Sequence, residues 1–301
     1  MAELSTRLCG LDLRNPTILA SGILGTVGSS LKRVAENGAG AVVTKSVGAV
    51  AREGHKNPSV IEIENGILNA IGLASPGYKE FEGEVKIARE GRVPVIGSIF
   101  GFSIREFVEV AKAMDGYGVD ALELNLSCPN VAKAGAFYGQ NEDLTYEVVN
   151  AVRRSVKIPV IAKLTSNVSD IVAIAKACEE AKCDAITAIN TVKAMKIDII
   201  ARMPVLGNKV GGLSGPCIKP IAIDSVYEIV RETNLRVIGC GGVTTGEDAI
   251  EFLMAGASAV QIGTAVLYRG ISVFKKVVRE IEAFMDQNGY ADLKEIIGTA
   301  Q

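Results

Sequence analysis

The residues best suited to chemistry stand together in Asn125-Leu126-Ser127-Cys128-Pro129-Asn130. They close an alternating run over 121–126, preceded by Gly118 and Asp120, which reads as a β-strand. With a period of two, Leu122, Leu124 and Leu126 share one face, and Glu123, Asn125 and Ser127 share the other. A polar face that ends in a thiol builds a site more readily than a core. Pro129 has no N–H to give a neighbouring strand, so it ends the pairing and stiffens the exit. Cys128 is thereby a candidate nucleophile or general base, against the plain alternative of a small buried filler. No histidine stands ready to activate it. A free thiol, with a pKa of about 8.5, is only a few per cent thiolate at neutral pH. Proton abstraction suits such a group better than acyl transfer.

Two lysines, Lys45 and Lys163, end apolar runs. A lysine placed so is costly unless an anion faces it. Either a structural ion pair or a ligand that gains negative charge would answer that need. Asn69, Asn125, Asn130 and Asn190 carry donors and acceptors without charge. Singly they read as turn residues; together they suit a small planar ligand rich in carbonyl and N–H groups. Gly241-Gly242 and Gly263-Thr264 follow two further apolar runs. They either turn the chain or hold a phosphate on backbone N–H groups at a helix N-terminus. Thr245-Gly246-Glu247-Asp248 has the spacing of a capping box that opens a helix, with Asp in the usual place of Glu.

These residues need a frame. Short apolar runs recur at 17–20, 41–44, 95–98, 121–126, 160–164, 185–189, 236–239 and 259–262. Amphipathic helical patterns lie between them, at 103–117, 142–156, 168–181, 221–232 and 246–255. Eight strands alternating with helices predict a parallel sheet, and 301 residues favour its closure into a (β/α)8 TIM barrel. A doubly wound open sheet is the alternative. Residues 4–15 alternate around Cys9-Gly10 and predict a short N-terminal hairpin. No low-complexity linker divides the chain, so 1–301 reads as one domain. The connections 46–93 and 190–235 exceed simple turns, and both leave from strand C-terminal ends, where barrel sites form. The polar exits gather on that rim: Ser21, Lys45-Ser46, Ser98, Asn125 to Cys128, Lys163, Asn190-Thr191, Cys240 to Gly242, and Gly263-Thr264.

Composition narrows the function. The chain is 48% hydrophobic and 22% charged, with a formal net charge of −2, so no general affinity for nucleic acid or anionic membrane is implied. No apolar run approaches a membrane span and the first residues are not a signal peptide, which predicts a cytoplasmic protein. The six cysteines at 9, 128, 178, 183, 217 and 240 show no iron–sulfur spacing and read as thiols. With His55 as the sole histidine, a histidine-based zinc site or Ser-His-Asp triad is nearly excluded; His55, beside Lys56 and near Arg52, reads as a loop residue.

Asn125-Leu-Ser-Cys-Pro-Asn130 closely resembles the active-site loop of the dihydroorotate dehydrogenases, the flavin barrels of pyrimidine biosynthesis. Ala20-Ser21-Gly22, Thr44-Lys45-Ser46, Asn69-Ala-Ile-Gly-Leu73, Ala188-Ile-Asn190 and Gly211-Gly-Leu-Ser-Gly215-Pro resemble that family's blocks in the same order, over essentially the whole chain. A cysteine at position 128 resembles class 1, and the 69–73 and 190–220 stretches resemble class 1B. The resemblance implies oxidation of dihydroorotate to orotate with bound FMN. Cys128 is then the base that removes the C5 proton while a hydride leaves C6 for flavin N5. It implies substrate contacts from Lys45, Asn69, Ala70, Ile71, Gly72, Leu73, Asn125, Asn190 and Thr191. FMN contacts would come from Ser21, Lys45, Ser46, Asn125, Lys163, Ile189, Gly215, Gly241, Gly242, Gly263 and Thr264, the last four holding the phosphate. Class 1B further implies a partner subunit that carries FAD and a 2Fe–2S cluster and reduces NAD, with the catalytic subunit as a homodimer or in a heterotetramer with that partner. Ser98 departs from the family's frequent asparagine; a hydroxyl reaches less far and lacks an amide donor. Gly135 and Gly139 flank the loop after Cys128, either as hinges of a lid or as ordinary loop residues. Alternatives to this activity are a related flavin barrel acting on another dihydropyrimidine, a flavin-free isomerase or synthase with the same phosphate site, and a non-catalytic scaffold.

Overall fold

A computed structural model describes residues 2–126 and 138–301. The chain opens with an antiparallel hairpin, β1 (Thr6–Leu8) and β2 (Leu11–Leu13). Then come β3 (Thr17–Leu19), α1 (Gly28–Glu36) and β4 (Ala41–Val43). A first excursion carries β5 (Val60–Ile63) and β6 (Gly66–Asn69) before α2 (Glu82–Arg89). Alternation resumes with β7 (Val95–Ile99), α3 (Ile104–Gly116), β8 (Ala121–Asn125), α4 (Glu142–Arg153), β9 (Val160–Lys163), α5 (Ile171–Glu180) and β10 (Ala185–Ala188). A second excursion holds β11 (Val192–Ala194), β12 (Ile197–Asp198), β13 (Met203–Pro204) and β14 (Gly211–Ser214), ahead of α6 (Lys219–Glu232). The chain ends on β15 (Arg236–Cys240), α7 (Gly246–Met254), β16 (Ala259–Ile262), α8 (Ala265–Arg269) and α9 (Val273–Asn288).

Strands β3, β4, β7, β8, β9, β10, β15 and β16 pair in parallel in that order and close into a barrel, as the alternating pattern predicts. Their outward side chains, such as Leu122 and Leu124 of β8, pack against helix residues such as Val110 and Val148. Inside, the barrel changes character along its axis. Its lower layer is hydrocarbon: Ile18, Val43, Ile96, Ile161 and Ile238, with Ala121, Ala185 and Ala259 between them. Leu8 and Leu13 of the N-terminal hairpin join this cluster and seal that end. One layer up, the buried side chains turn polar: Ser98, Glu123, Lys163, Thr187 and Gln261.

Four helices, α3, α4, α5 and α7, start where a short polar side chain takes an orphan N–H. Ser103 accepts from Glu106 N at 3.2 Å, Asn141 from Leu144 N at 2.9 Å and Asp170 from Ala173 N at 2.9 Å. Thr245 and Asp248 form the reciprocal capping box at the start of α7. The N-terminal ends fall within a few residues of the sequence expectation, because caps are local signals.

The two excursions are not separate loops. β5, β6, β14 and β11 form one antiparallel sheet in the order β11-β14-β6-β5. Gly212 pairs with Asn69 and with Lys193, so the sheet ties the first excursion to the second. Leu68, Ala70 and Leu206 form its small core. β12 and β13 make a separate hairpin, at whose tip Ile199 and Ile200 are 85% and 91% exposed. Among the described residues, no helix is long and apolar enough to cross a membrane.

Candidate active site

At the C-terminal end of the barrel, below the four-stranded sheet, lies an open cavity with about 1310 Å³ of atom-free space, the solvent at its mouth included. The barrel exits supply Ser21, Lys45, Ser46, Asn125, Lys163, Ile189, Cys240 and Gly263 to its wall. The sheet and its flanks supply Asn69, Ile71, Leu73, Thr191 and Ser214 from above. Such a wall of apolar groups with a few convergent polar ones is the usual make-up of a small-molecule site.

One side of the cavity is a chain of hydroxyls and amides. Asn190 Nδ2 donates to Asn125 Oδ1 at 3.4 Å, and Asn125 Nδ2 donates to Ser46 Oγ at 3.2 Å. Ser46 Oγ shares a hydrogen with Ser98 Oγ at 2.8 Å and lies 3.3 Å from Ser21 Oγ. Ser98 itself is fully buried and outside the cavity wall; it reaches the site through Ser46. Thr191 N donates to Asn190 Oδ1 at 2.7 Å, which fixes that amide's orientation. Above, Asn69 Nδ2 donates to Gly212 O at 3.3 Å. Gly212 has no room for a side chain, because an added Cβ would collide with Thr191.

The floor is ionic. Lys163 Nζ donates to Gln261 Oε1 at 2.7 Å and stands 3.6 Å from Glu123 Oε1. Burial works against its charge, while Cys240 and Glu123 outweigh that and raise its pKa above the ordinary lysine value. Burial likewise raises the Cys240 thiol, against the pull of Lys163, and Glu123 lies across from the same ammonium. Lys163 is thus both an ion-pair partner and a cavity residue.

The far side offers a cradle for an anion. Gly241, Gly242, Val243, Gly263 and Thr264 line it. The N–H groups of Gly242, Val243, Gly263 and Thr264 have no protein acceptor among the described residues. Gly242 has φ +80, and a Cβ there would lie 2.8 Å from Lys219 Cβ and 2.9 Å from Gly215 O. Consecutive free N–H groups of this kind bind phosphate. The N-terminus of α7 does not contribute: Asp248 Oδ2 accepts from Thr244 N and Thr245 N, and Glu280 Oε2 accepts from Gly246 N. The unclaimed N–H groups are therefore those of the two glycine turns before α7 and α8. Burial raises the Asp248 pKa, but Lys219 and the two amides outweigh it and hold the carboxyl below its usual range.

A family model described as dihydroorotate dehydrogenase matches residues 3–285. The chain is 52% identical to the Methanocaldococcus jannaschii protein named dihydroorotate dehydrogenase B (NAD(+)), catalytic subunit, over 99% of this chain and 98% of that one. It is 50% identical to the Thermoplasma acidophilum protein of the same name, over 100% and 99%. The Pyrococcus furiosus protein of that name is 47% identical over 99% of each chain. The chain belongs to the dihydroorotate dehydrogenase family. That family is one of flavin-dependent enzymes.

Of the residues the dihydroorotate dehydrogenase resemblance points to, Ser21, Lys45, Ser46, Asn69, Ile71, Gly72, Leu73, Asn125, Lys163, Ile189, Asn190, Thr191, Gly215, Gly241, Gly242, Gly263 and Thr264 line this one cavity. Ala70 is the exception. It alternates away from the cavity and is buried against Leu68 and Leu206. Its carbonyl faces His55 Nδ1 at 3.2 Å. His55 lies in a loop as expected, but its ring also packs beside Gly72 and braces the 69–73 segment. Cys128, Asn130 and Gly135 lie outside the described residues. Gly139 sits where a Cβ would collide with Leu126 O, which makes it a close-approach glycine. Sequence reasoning missed Gln261 and Thr187. Their signal is a polar residue on the inward phase of an otherwise apolar barrel strand.

Proposed function

We propose that the chain oxidises dihydroorotate to orotate with FMN bound in the cavity, in pyrimidine biosynthesis. The observation that carries this reading is the convergence, in one cavity, of a buried lysine, an amide cluster and a double-glycine anion cradle in a member of this family. What supports the fit is the mixed apolar and polar lining of one cavity, with unclaimed N–H groups at its far side. Gly241, Gly242, Gly263 and Thr264 would hold that phosphate, and Ser21, Ser46, Ile189 and Gly215 the rest of the cofactor. A bound flavin supplies, at N5, the acceptor for the hydride that leaves C6 of the substrate.

The chain's own residues do the remainder. Cys128 removes the proton at C5. Asn69, Asn125, Asn190 and Thr191 orient the pyrimidine ring by paired donors and acceptors. Ile71, Gly72 and Leu73 complete the roof over the substrate. Lys45 sets a cation at the wall beside substrate and cofactor, and Lys163 another at the floor. The relatives' names carry both NAD(+) and "catalytic subunit". Those names support a partner subunit that takes the electrons on to NAD; the class 1B resemblance gives that partner FAD and a 2Fe–2S cluster. The exposed apolar tip at Ile199, Ile200 and Met203 supports subunit association, as a homodimer or within a heterotetramer. The work is done by 1–301 as one domain, in the cytoplasm.

The deciding experiment is an absorbance spectrum of the pure protein before and after anaerobic dihydroorotate. A flavin spectrum that bleaches supports the reading. A colourless protein, or bleaching by uncharged dihydropyrimidines alone, overturns it.

A further inference from the structure

Resting on the reading that a flavin lies above Lys163, we propose that Glu123 is a positioning residue that sets the charge beneath the ring by acting through Lys163. Four barrel strands meet at this point. Glu123 comes from β8, Lys163 from β9, Thr187 from β10 and Gln261 from β16, and all four are buried. Glu123 Oε2 accepts from Gln261 Nε2 at 2.6 Å and from Thr187 Oγ1 at 3.0 Å. Its other oxygen, Oε1, takes no hydrogen bond among the described residues and faces Lys163 Nζ at 3.6 Å. Gln261 therefore grips both charges, the ammonium with its carbonyl at 2.7 Å and the carboxylate with its amide.

This arrangement is a poor device for stability. A buried ion pair is often no better than well-packed hydrocarbon of the same volume, and the layer beneath is already hydrocarbon. It is a good device for setting a potential. An isolated ammonium under a ring that gains negative charge would favour the reduced form strongly. A carboxylate 3.6 Å from that ammonium, in a place poor in water, offsets much of its field. Gln261 holds Lys163 Nζ, and both residues line the cavity. The tendency of the cofactor to accept electrons, and to give them up again, is then a property of the pair.

The test is the midpoint potential of the bound flavin, measured by dye equilibration in the parent and three variants. Glu123→Gln removes a negative charge and is expected to raise the potential. Gln261→Glu adds one and is expected to lower it. The swap Glu123→Gln with Gln261→Glu keeps one carboxylate, and every hydrogen bond can be re-formed with donor and acceptor exchanged. The swap should return the potential to the parent value or below it. A merely structural role predicts no ordering by charge and no rescue by the swap. An unchanged potential in Glu123→Gln, or a swap that stays as high as that variant, overturns the proposal. If Glu123→Gln does not fold, Gln261→Glu decides, and a parent-like potential there overturns it. A parent protein that binds no flavin overturns the underlying reading instead.

Discussion

Asn190 and Asn125, from the ends of barrel strands β10 and β8, share a hydrogen bond of 3.4 Å across the cavity wall. Each amide is held by a second neighbour, Thr191 N for one and Ser46 Oγ for the other. Amides locked in this way present fixed donors and acceptors, which suits a ring with both. Asn190→Ala should raise the KM for dihydroorotate about 10-fold or more, the loss of roughly 1–3 kcal/mol for an unpaired polar contact. Flavin content should stay at the parent level. Steady-state kinetics with a flavin spectrum check both halves.

Cys128→Ser should retain flavin and lose rate. General-base catalysis is worth about 10²–10⁴-fold, and a serine hydroxyl is the weaker base at neutral pH. Stopped-flow reduction by dihydroorotate measures it. Parent-like rates in both Cys128→Ser and Cys128→Ala would remove the base from this residue.

Acid should weaken the fold through the α7 start. The Asp248 carboxyl is pushed up by burial but held lower overall by Lys219 and the Thr244 and Thr245 amides. Glu280 is lowered by Arg269 and the Gly246 amide against the effect of burial. Both groups bind fewer protons folded than unfolded, so their contribution is complete above the ordinary carboxylate range and fades as pH falls through the lowered values. Asp248→Asn should reduce stability at pH 7 and flatten its loss below about pH 4. Denaturant midpoints across pH read this directly.

The sealed end of the barrel should matter for stability and not for chemistry. Leu13 is 1% exposed inside the lower layer. Leu13→Ala should cost about 2–5 kcal/mol by leaving a cavity. Its kcat at a temperature where it remains folded should match the parent.

The thiols should separate by burial. Burial pushes Cys9 and Cys183 up to about 12, and Cys178 is also raised well above its ordinary value. Cys217 is exposed. Brief alkylation of the folded protein, read by peptide mass, should label Cys217 well before those three.

The barrel was legible because its signals are local. Alternation in 121–126 separates Leu122 and Leu124 from Glu123 and Asn125, and the two sets do pack outside and inside. Thr245 with Asp248 reads as a cap and is one. What stayed hidden depends on distant pairings. Glu123 was visible as polar, but Gln261 lies 138 positions away and only closure of the barrel brings them together. The sheet that joins β6 to β14 has the same character, since Asn69 and Gly212 carry no local sign that they are neighbours. Ala70 looked like its neighbours in the 69–73 block, and only the phase of β6 turns it away.

That sheet has a mechanical corollary. Asn69 and Thr191 belong to excursions far apart in the chain, yet they hang from one rigid canopy through Gly212. A displacement of either excursion is carried to the other through the shared strand β14. Shortening one excursion would therefore disarm both.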